Sequence, residues 1–216
     1  MAILNVNATR MELTNLKRKL NTARRGHKLL KDKRDELMRR FLDTVKENLA
    51  LRLKVEEGIK SANNYMAIAG SVMQPQVLST ALMLPKQEVR IDVSEKNVMS
   101  VMIPEFKTEF KSKNSEDIYS YGYAFTSGEL DGAVSAISSV FTDMIKLAEI
   151  EKSCQLMADE IEKTRRRVNA LEHVMIPRYE ETIRYISMKL DENERSTTTR
   201  LMKIKDMMIA ENVKEK

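Results

Sequence analysis

Apolar residues recur at alternating steps of three and four through the first third of the chain. The repeat follows Thr9-Arg10-Met11-Glu12, in which the Thr and Glu side chains can cap a helix N-terminus reciprocally. Its members are Leu13, Leu16, Leu20, Ala23, His27, Leu30, Leu37 and Phe41, with Arg34 at one expected apolar position. A 3.5-residue repeat over about four heptads is typical of a coiled-coil seam. The pattern predicts a helix from Arg10 to about Ala69.

The C-terminal segment carries a second seam of the same kind. It follows another capping sequence, Thr126-Ser127-Gly128-Glu129, and continues to Met208. Three successive steps of four lead from Leu171 through Met175 and Tyr179 to Ile183, which relaxes a left-handed supercoil. Pro177 lies inside this stretch, where it removes a backbone donor. We expect a helix from Ser127 to about Met208, with a kink or local unwinding near Pro177.

The segment between the two seams has a different pattern. Pro75 suits the first turn of a short helix that ends near Met83. Apolar and polar residues then alternate over Val89–Val93 and, in part, over Met99–Ile103, which predicts two strands. The expected turn between them is Ser94–Asn97, and Pro104 is expected to end the second strand.

Neither long helix can bury its apolar stripe alone, so the two are expected to pack together in antiparallel orientation. The predicted fold is mainly α: a long two-helix coiled coil with a small central insert that contains a β-hairpin and a short helix. The predicted segments are residues 1–70, 71–126 and 127–216. This register places Arg10 near Ile186 and leaves 20–30 C-terminal residues beyond the partner helix.

Composition narrows the class of protein. The 216 residues include 6 Gly, 4 Pro and no Trp, and only 5% are aromatic, which disfavours a β-sandwich, a barrel or a Gly-rich nucleotide fold. The net charge of +5 is unevenly distributed. Residues 10–40 hold twelve Lys and Arg against four Asp and Glu, whereas residues 127–216 hold fifteen against seventeen. The basic N-terminal segment therefore predicts an acidic partner surface or pairing with another helix of the chain.

Motifs for catalysis or cofactor binding are absent. The sequence has no phosphate-binding loop, no nucleophile elbow and no zinc-protease motif, so we expect no enzyme activity, cofactor or metal. Its single cysteine, Cys154, excludes an internal disulfide. No signal peptide and no apolar stretch long enough to cross a membrane are visible, which favours a cytosolic location without membrane insertion.

The run Arg165-Arg166-Arg167 is the sharpest charge feature. Three consecutive helical residues spread over about 200° of arc, so they cannot all face one partner helix. One interpretation pairs them with Asp32, Asp35 and Glu36 on the first helix, and the other places them against an acidic partner protein. A nucleic-acid partner is not expected, because the basic segment lacks interleaved aromatic residues and the opposite helix is acidic.

Three blocks of sequence resemble a known family. They are Asn5–Leu13 (NVNATRMEL), Thr22–Lys33 (TARRGHKLLKDK) and Cys154–Glu172 (CQLMADEIEKTRRRVNALE). Together they resemble the D subunit of the V-type and archaeal-type (A/V) rotary ATPases, and the order of the parts matches over nearly the whole chain. The resemblance is weakest in the central insert.

The resemblance implies a central rotor axle that performs no chemistry itself. It implies as partners the A and B subunits of the catalytic hexamer, the small F subunit, and the funnel-shaped subunit above the membrane ring. The assembly would lie on the cytoplasmic face of the membrane. It would couple ATP hydrolysis or synthesis to movement of Na⁺ or H⁺.

Two groups of residues are the candidate contact sites on this interpretation. The hexamer would contact the candidates Arg24, Arg25, Arg165, Arg166, Arg167, Leu201, Ile204 and Met208. A docking surface on the hairpin would comprise Val89, Ile91, Val93, Val101 and Ile103. Two other classes of protein remain as alternatives, namely a prefoldin-like coiled-coil chaperone and a basic coiled-coil nucleic-acid binder.

Overall fold

A computed structural model describes residues 4–111, 118–122 and 126–214. The elements in chain order are α1 (Arg10–Val72), α2 (Pro75–Leu82), β1 (Val89–Val98), β2 (Val101–Phe110), α3 (Gly128–Ala170), a π-helix (Leu171–Met175) and α4 (Ile176–Lys214). The predicted class is confirmed: long N- and C-terminal helical segments flank one antiparallel hairpin. The chain divides into two compact units, which are described separately below. The first unit comprises Met1–Arg34 and Lys163–Lys216, and the second comprises Asp35–Glu162.

Side-chain caps define the starts of α1 and α3. The Glu12 amide donates to the Thr9 hydroxyl over 3.2 Å, which confirms one half of the predicted reciprocal cap of α1. The other half is not formed, because the Thr9 amide donates to the Asn7 carbonyl and not to Glu12. At α3 the Glu129 amide donates to Ser127 Oγ over 3.3 Å, while the Thr126 hydroxyl donates to the Gly122 carbonyl. The capping residue of α3 is therefore Ser127, one position after the predicted one.

The first unit joins the start of α1 to the last turns of α3, the π-helix and α4. Its buried apolar residues are few, namely Leu16, Val168 and Ile186, and two threonines, Thr164 and Thr182, are buried with them. Ion pairs cross between the helices at its surface. Arg24 donates to Glu180 over 2.6 Å, and Arg10 pairs with Glu194.

These ion pairs correct the predicted register. Arg10 lies beside Glu194, eight residues further along α4 than the predicted neighbour Ile186. Part of the shift comes from the π-helix, because a π-turn accommodates more residues than an α-turn in the same axial rise. Since α4 continues to Lys214, twenty of its residues lie beyond Glu194, which confirms the predicted overhang.

The irregularity predicted near Pro177 is confirmed as the π-helix that precedes it. The Ile176 amide bonds to the carbonyl of Leu171, five residues back. Pro177 follows directly and has no N–H to donate to the carbonyl four residues before it. The wider turn places that donor-free residue at the start of α4, where a missing N–H costs least.

In the second unit α1 and α3 approach each other closely at two glycines. A Cβ built on Gly58 would lie 2.2 Å from Val140 Cγ2, and one built on Gly132 would lie 3.3 Å from the Tyr65 ring. Lys54 adds an ion pair to Asp143 over 2.6 Å, and this hydrogen bond lowers the pKa of the Asp143 carboxyl. Small residues thus allow the closest packing, and a charge pair lies beside it.

The hairpin differs from its predicted boundaries. Strands β1 and β2 pair in register from Val89↔Phe110 to Val98↔Val101, so Ser94–Asn97 are strand residues and the turn is Met99-Ser100. Both turn residues have positive φ, 53° and 72°, without glycine or asparagine. The Ser100 amide donates to Asn97 Oδ1 over 2.9 Å, which helps to hold the turn.

Pro104 does not end the second strand, contrary to prediction. It pairs with Glu95 in the middle of β2. The Phe106 amide, two residues on, points away from β1 and lies 3.4 Å from Glu149 Oε2 on α3. Pro104 lies two residues before Phe106, so its nitrogen also faces away from β1. Its missing N–H therefore removes no hydrogen bond between the two strands.

The turn end of the hairpin enters the core of the second unit. Val101 is 6% exposed and packs with Leu37 of α1 and with Met157 and Ile161 of α3. The partly buried residues Phe41, Met99, Ile103 and Leu156 surround this cluster. The hairpin is therefore held to both long helices of its unit through apolar contacts.

A second cluster connects α2 to the long helices. Ala69, Met73 and Leu130 are buried, and Val77, Leu78 and Tyr121 pack against them. The Tyr121 hydroxyl donates to Asp131 Oδ1 over 2.7 Å. Burial, and after it this hydrogen bond to a carboxylate, raises the pKa of the Tyr121 phenol above its ordinary value.

Candidate functional site

The end of α4 presents an apolar surface without any covering residue among those described. Every residue from 191 to 209 is exposed. This stretch includes all three predicted apolar contact residues, Leu201 (62% exposed), Ile204 (48%) and Met208 (58%). Met202, Met207 and Ile209 are exposed beside them. An isolated helix gains nothing from exposing six large apolar side chains, so this end is typical of a surface that a partner covers.

A polar neck separates this apolar end from the packed part of α4. Residues 191–200 contain no large apolar side chain. Three successive threonines donate to the carbonyls four residues before them, Thr197 to Asn193, Thr198 to Glu194 and Thr199 to Arg195, over 2.8–2.9 Å. The neck is thus a solvated helix whose three threonine hydroxyls are bonded to its own backbone.

The five predicted arginines do not form one equivalent set. All are exposed, but Arg24 is paired with Glu180 within the first unit, and Arg166 also has an interaction within the chain. Glu36, one of the predicted partners of the arginine run, instead accepts from Arg40 on its own helix over 3.0 Å. Arg25, Arg165 and Arg167 remain the cleaner candidates for contacts with another protein.

The predicted hairpin residues divide into two groups. Val101 and Ile103 face the interior of the second unit and pack against its core, so they are not available to a partner. Val89 is half-buried and lines a cavity with Ile137 and Phe141. Of the predicted five, Ile91 (45% exposed) and Val93 (63%) lie open at the surface.

Pattern analysis missed Met102 as a member of this surface. It is 54% exposed, and the strand register places it on the same hairpin face as Ile91 and Val93. The exposed hairpin face, defined here as Ile91, Val93 and Met102, could have been found from the sequence only with the correct turn. A Met99-Ser100 turn carries no glycine or asparagine that would have marked it.

The described residues contain no group of three or more His, Cys, Asp or Glu side chains placed to hold a metal ion. One histidine makes a cross-helix contact, in which His27 Nε2 lies 3.3 Å from Glu172 Oε2. Within the same described part of the chain, no helix combines the length and apolar character that crossing a bilayer requires.

Known proteins match this chain along almost its whole length. Residues 12–206 match the family model described as the D subunit of ATP synthase. A protein of Acetivibrio thermocellus, named as the D subunit of V-type ATP synthase, is 61% identical, with 100% of this chain and 98% of the relative covered. A protein of the same name from Clostridioides difficile is 58% identical, with 100% and 97% covered.

These names decide between the alternatives that the sequence left open. The relatives are named as ATP synthase subunits and not as chaperones or nucleic-acid binders, so neither alternative is supported. Identity near 60% over the full length, with the expected long helices and hairpin, leaves one assignment: the chain belongs to the D-subunit family of the V-type ATP synthases.

Proposed function

We propose that the chain is the central rotor axle of a V-type ATPase, which transmits torque between a hexamer of A and B subunits and an ion-translocating membrane ring. The observation that carries the proposal is the exposed end of α4. Its twenty residues beyond Glu194 form a single helix with an apolar surface, which is narrow enough to enter the central opening of a ring.

The packed parts of the chain suit a torque-bearing element. Two packed helices resist twisting better than one, and ion pairs such as Lys54–Asp143 and Arg24–Glu180 connect the helices within each unit. The axle itself contributes no catalytic residue, so ATP hydrolysis takes place in the hexamer. We further propose the F subunit and the funnel-shaped subunit above the ring as additional partners, on the cytoplasmic face of the membrane.

Charge provides the asymmetry that an axle needs. The hexamer has three otherwise equivalent catalytic interfaces. An axle whose surface is charged on one side can act differently on each of them. Arg25 belongs to the basic N-terminal segment, and Arg165 and Arg167 are exposed on α3. Attraction to acidic loops of the hexamer would act over a distance and require no deep burial, so the contacts could form and break as the axle turns.

Native mass spectrometry of the assembly should find one copy of this chain with three A and three B subunits. Replacing Leu201, Ile204 and Met208 with serine should weaken assembly at least tenfold at any salt concentration, because the lost contacts are apolar.

Reversing Arg25, Arg165 and Arg167 to glutamate should weaken assembly about tenfold at low salt and progressively less as salt screens the charges.

Matched variants make the contrast specific. Leu29, Leu49 and Leu53 are also exposed on α1, so their replacement with serine controls for the loss of apolar surface. Reversal of Lys60, Lys86 and Lys152, which are exposed outside the hairpin, controls for net charge. A homo-oligomer of the chain would contradict the axle, whereas normal assembly of the arginine variant at low salt would remove only the charge argument.

We also propose that the exposed hairpin face is a docking surface for another protein of the complex. Because Val101 secures the hairpin to the long helices, a partner bound to Ile91, Val93 and Met102 would be coupled to the axle. The fold does not need apolar side chains at these exposed positions, and a cluster of them on one face of a short sheet is typical of a surface that another protein covers.

Replacing Ile91 and Val93 with serine should leave the fold intact and alter the ATPase rate or its coupling to ion movement by severalfold in the assembled complex. The paired control is Asp92→Ser, which changes an exposed residue on the opposite hairpin face. Both quantities are measured on membranes, as ATP hydrolysis and ion uptake. Unchanged rate and coupling would leave the hairpin as a structural element only.

A further inference from the structure

The residues before α1 run back along α4. The Leu4 amide donates to Thr182 Oγ1 over 3.2 Å, while Arg10, at the start of α1, is paired with Glu194. Twelve residues of α4 separate these two contacts, which is about 18 Å at the helical rise. Six extended residues reach at most about 20 Å, so the segment runs extended beside the helix from Leu4 before it turns into α1.

Burial alternates along this segment with a period of two. Leu4, Val6 and Ala8 are half-buried, whereas Asn5, Asn7 and Thr9 are exposed. This is the pattern of an extended chain with one side against packed residues. The Thr9 amide bonds to the Asn7 carbonyl over 2.9 Å, and this tight turn reverses the chain into α1.

Thr182 is the fixed end of the contact. It is fully buried, and its hydroxyl donates to the Arg178 carbonyl over 2.7 Å while accepting from Leu4. Thr164, the other buried threonine of the first unit, has no hydrogen-bond partner for its hydroxyl among the described residues. The N-terminal segment therefore gives the Thr182 hydroxyl a hydrogen bond from a residue distant in sequence, which the Thr164 hydroxyl lacks.

We propose that Leu4–Ala8 is a strap that clamps the start of α1 onto α4, with Thr182 as its anchor. The strap lies where two packed helices give way to the single helix of the neck, which is where a helix pair frays most easily. The strap is a feature of the first unit and does not depend on the axle function.

Hydrogen exchange of the full-length chain, followed by NMR, tests the clamp. Thr182→Val preserves shape but removes the acceptor, so exchange at the Leu4 amide should be about fivefold faster than in the wild type. Thr164→Val is the matched control, because it removes a buried hydroxyl that accepts nothing. Deletion of residues 2–8, which retains the Thr9 cap, should accelerate exchange in the second and third turns of α1 and over residues 182–194.

The same experiment can overturn the proposal. Equal exchange at Leu4 in the two valine variants would mean that Thr182 does not anchor the segment. If deletion left α1 and α4 protected, the segment would not clamp them. Equal acceleration in residues 35–162 would indicate a general loss of stability and would likewise remove the clamp.

Discussion

Replacing Leu37 with alanine is expected to destabilise the second unit by about 2–5 kcal/mol, because the substitution leaves a cavity among residues that cannot close around it. Leu37 is fully buried and contacts the cluster formed by Val101, Met157 and Ile161. These residues come from the hairpin and α3, so one side chain connects three elements. Loss of the contact should also loosen the turn end of the hairpin.

Urea denaturation followed by circular dichroism measures the effect as a lower midpoint with an unchanged slope. Leu49→Ala is the control on the same helix in the same unit, since Leu49 is 63% exposed and its truncation should cost less than about 0.5 kcal/mol. Similar losses in the two variants would show that the cluster around Leu37 does not hold the unit together.

Replacing Gly58 with alanine is expected to cost about 1–3 kcal/mol, although alanine is the better helix former. The added methyl would lie 2.2 Å from Val140 Cγ2, so α1 and α3 must move apart or Val140 must leave its rotamer. The steric cost therefore exceeds the gain of about 1 kcal/mol in helix propensity.

Two further variants isolate the steric cause. Gly26 lies in the same helix and has no atom within 4 Å of an added Cβ, so Gly26→Ala should stabilise the chain by up to about 1 kcal/mol. Val140→Ala should restore much of the stability lost in Gly58→Ala, and a double-mutant cycle measures that coupling. Stabilisation by both glycine substitutions would contradict the close approach of the helices.

The long helices could be predicted because their evidence is local and repeated. Many heptad positions agree with one another, and the Thr9 cap marks the start of α1 with a side-chain chemistry that has few other uses. Pro177 likewise marked the disturbed turn, although the sequence did not indicate whether the backbone would bend or widen. The register was less accurate, since a widened turn changes the pairing of every residue that follows it.

The hairpin was less predictable because tertiary contacts decided its boundaries. Met99 and Ser100 adopt positive φ where glycine or asparagine would be expected, and Met99 packs on the core cluster. Pro104 is tolerated in β2 because its nitrogen faces away from β1. The turn depends on the core that packs against Met99, and the orientation of Pro104 depends on the strand register that this turn fixes. No short-range pattern contains that information.

The candidate site was predicted best where exposure follows from chain length alone. An overhanging α4 leaves Leu201, Ile204 and Met208 exposed, with no covering residue in the described part of the chain. The predictions for the arginines and the hairpin residues depended on which neighbours those residues have within the chain. Val101 packs in the core, so it does not face a partner, and Arg24 pairs with Glu180 while its side chain stays 60% exposed; only three-dimensional proximity decides such neighbours.

The π-helix before Pro177 also determines the direction about the helix axis in which the side chains of α4 point. Each residue added to an α-helix rotates the following side chains by about 100°, so a π-turn acts as a one-residue insertion absorbed without a loop. Had the same five residues, Leu171–Met175, formed regular α-helix, the apolar end of α4 would point about a quarter-turn away from its present direction. A change between α- and π-geometry at this turn, without a change in length, would therefore re-aim the apolar end, whereas a residue inserted and taken up as a π-turn leaves its direction unchanged.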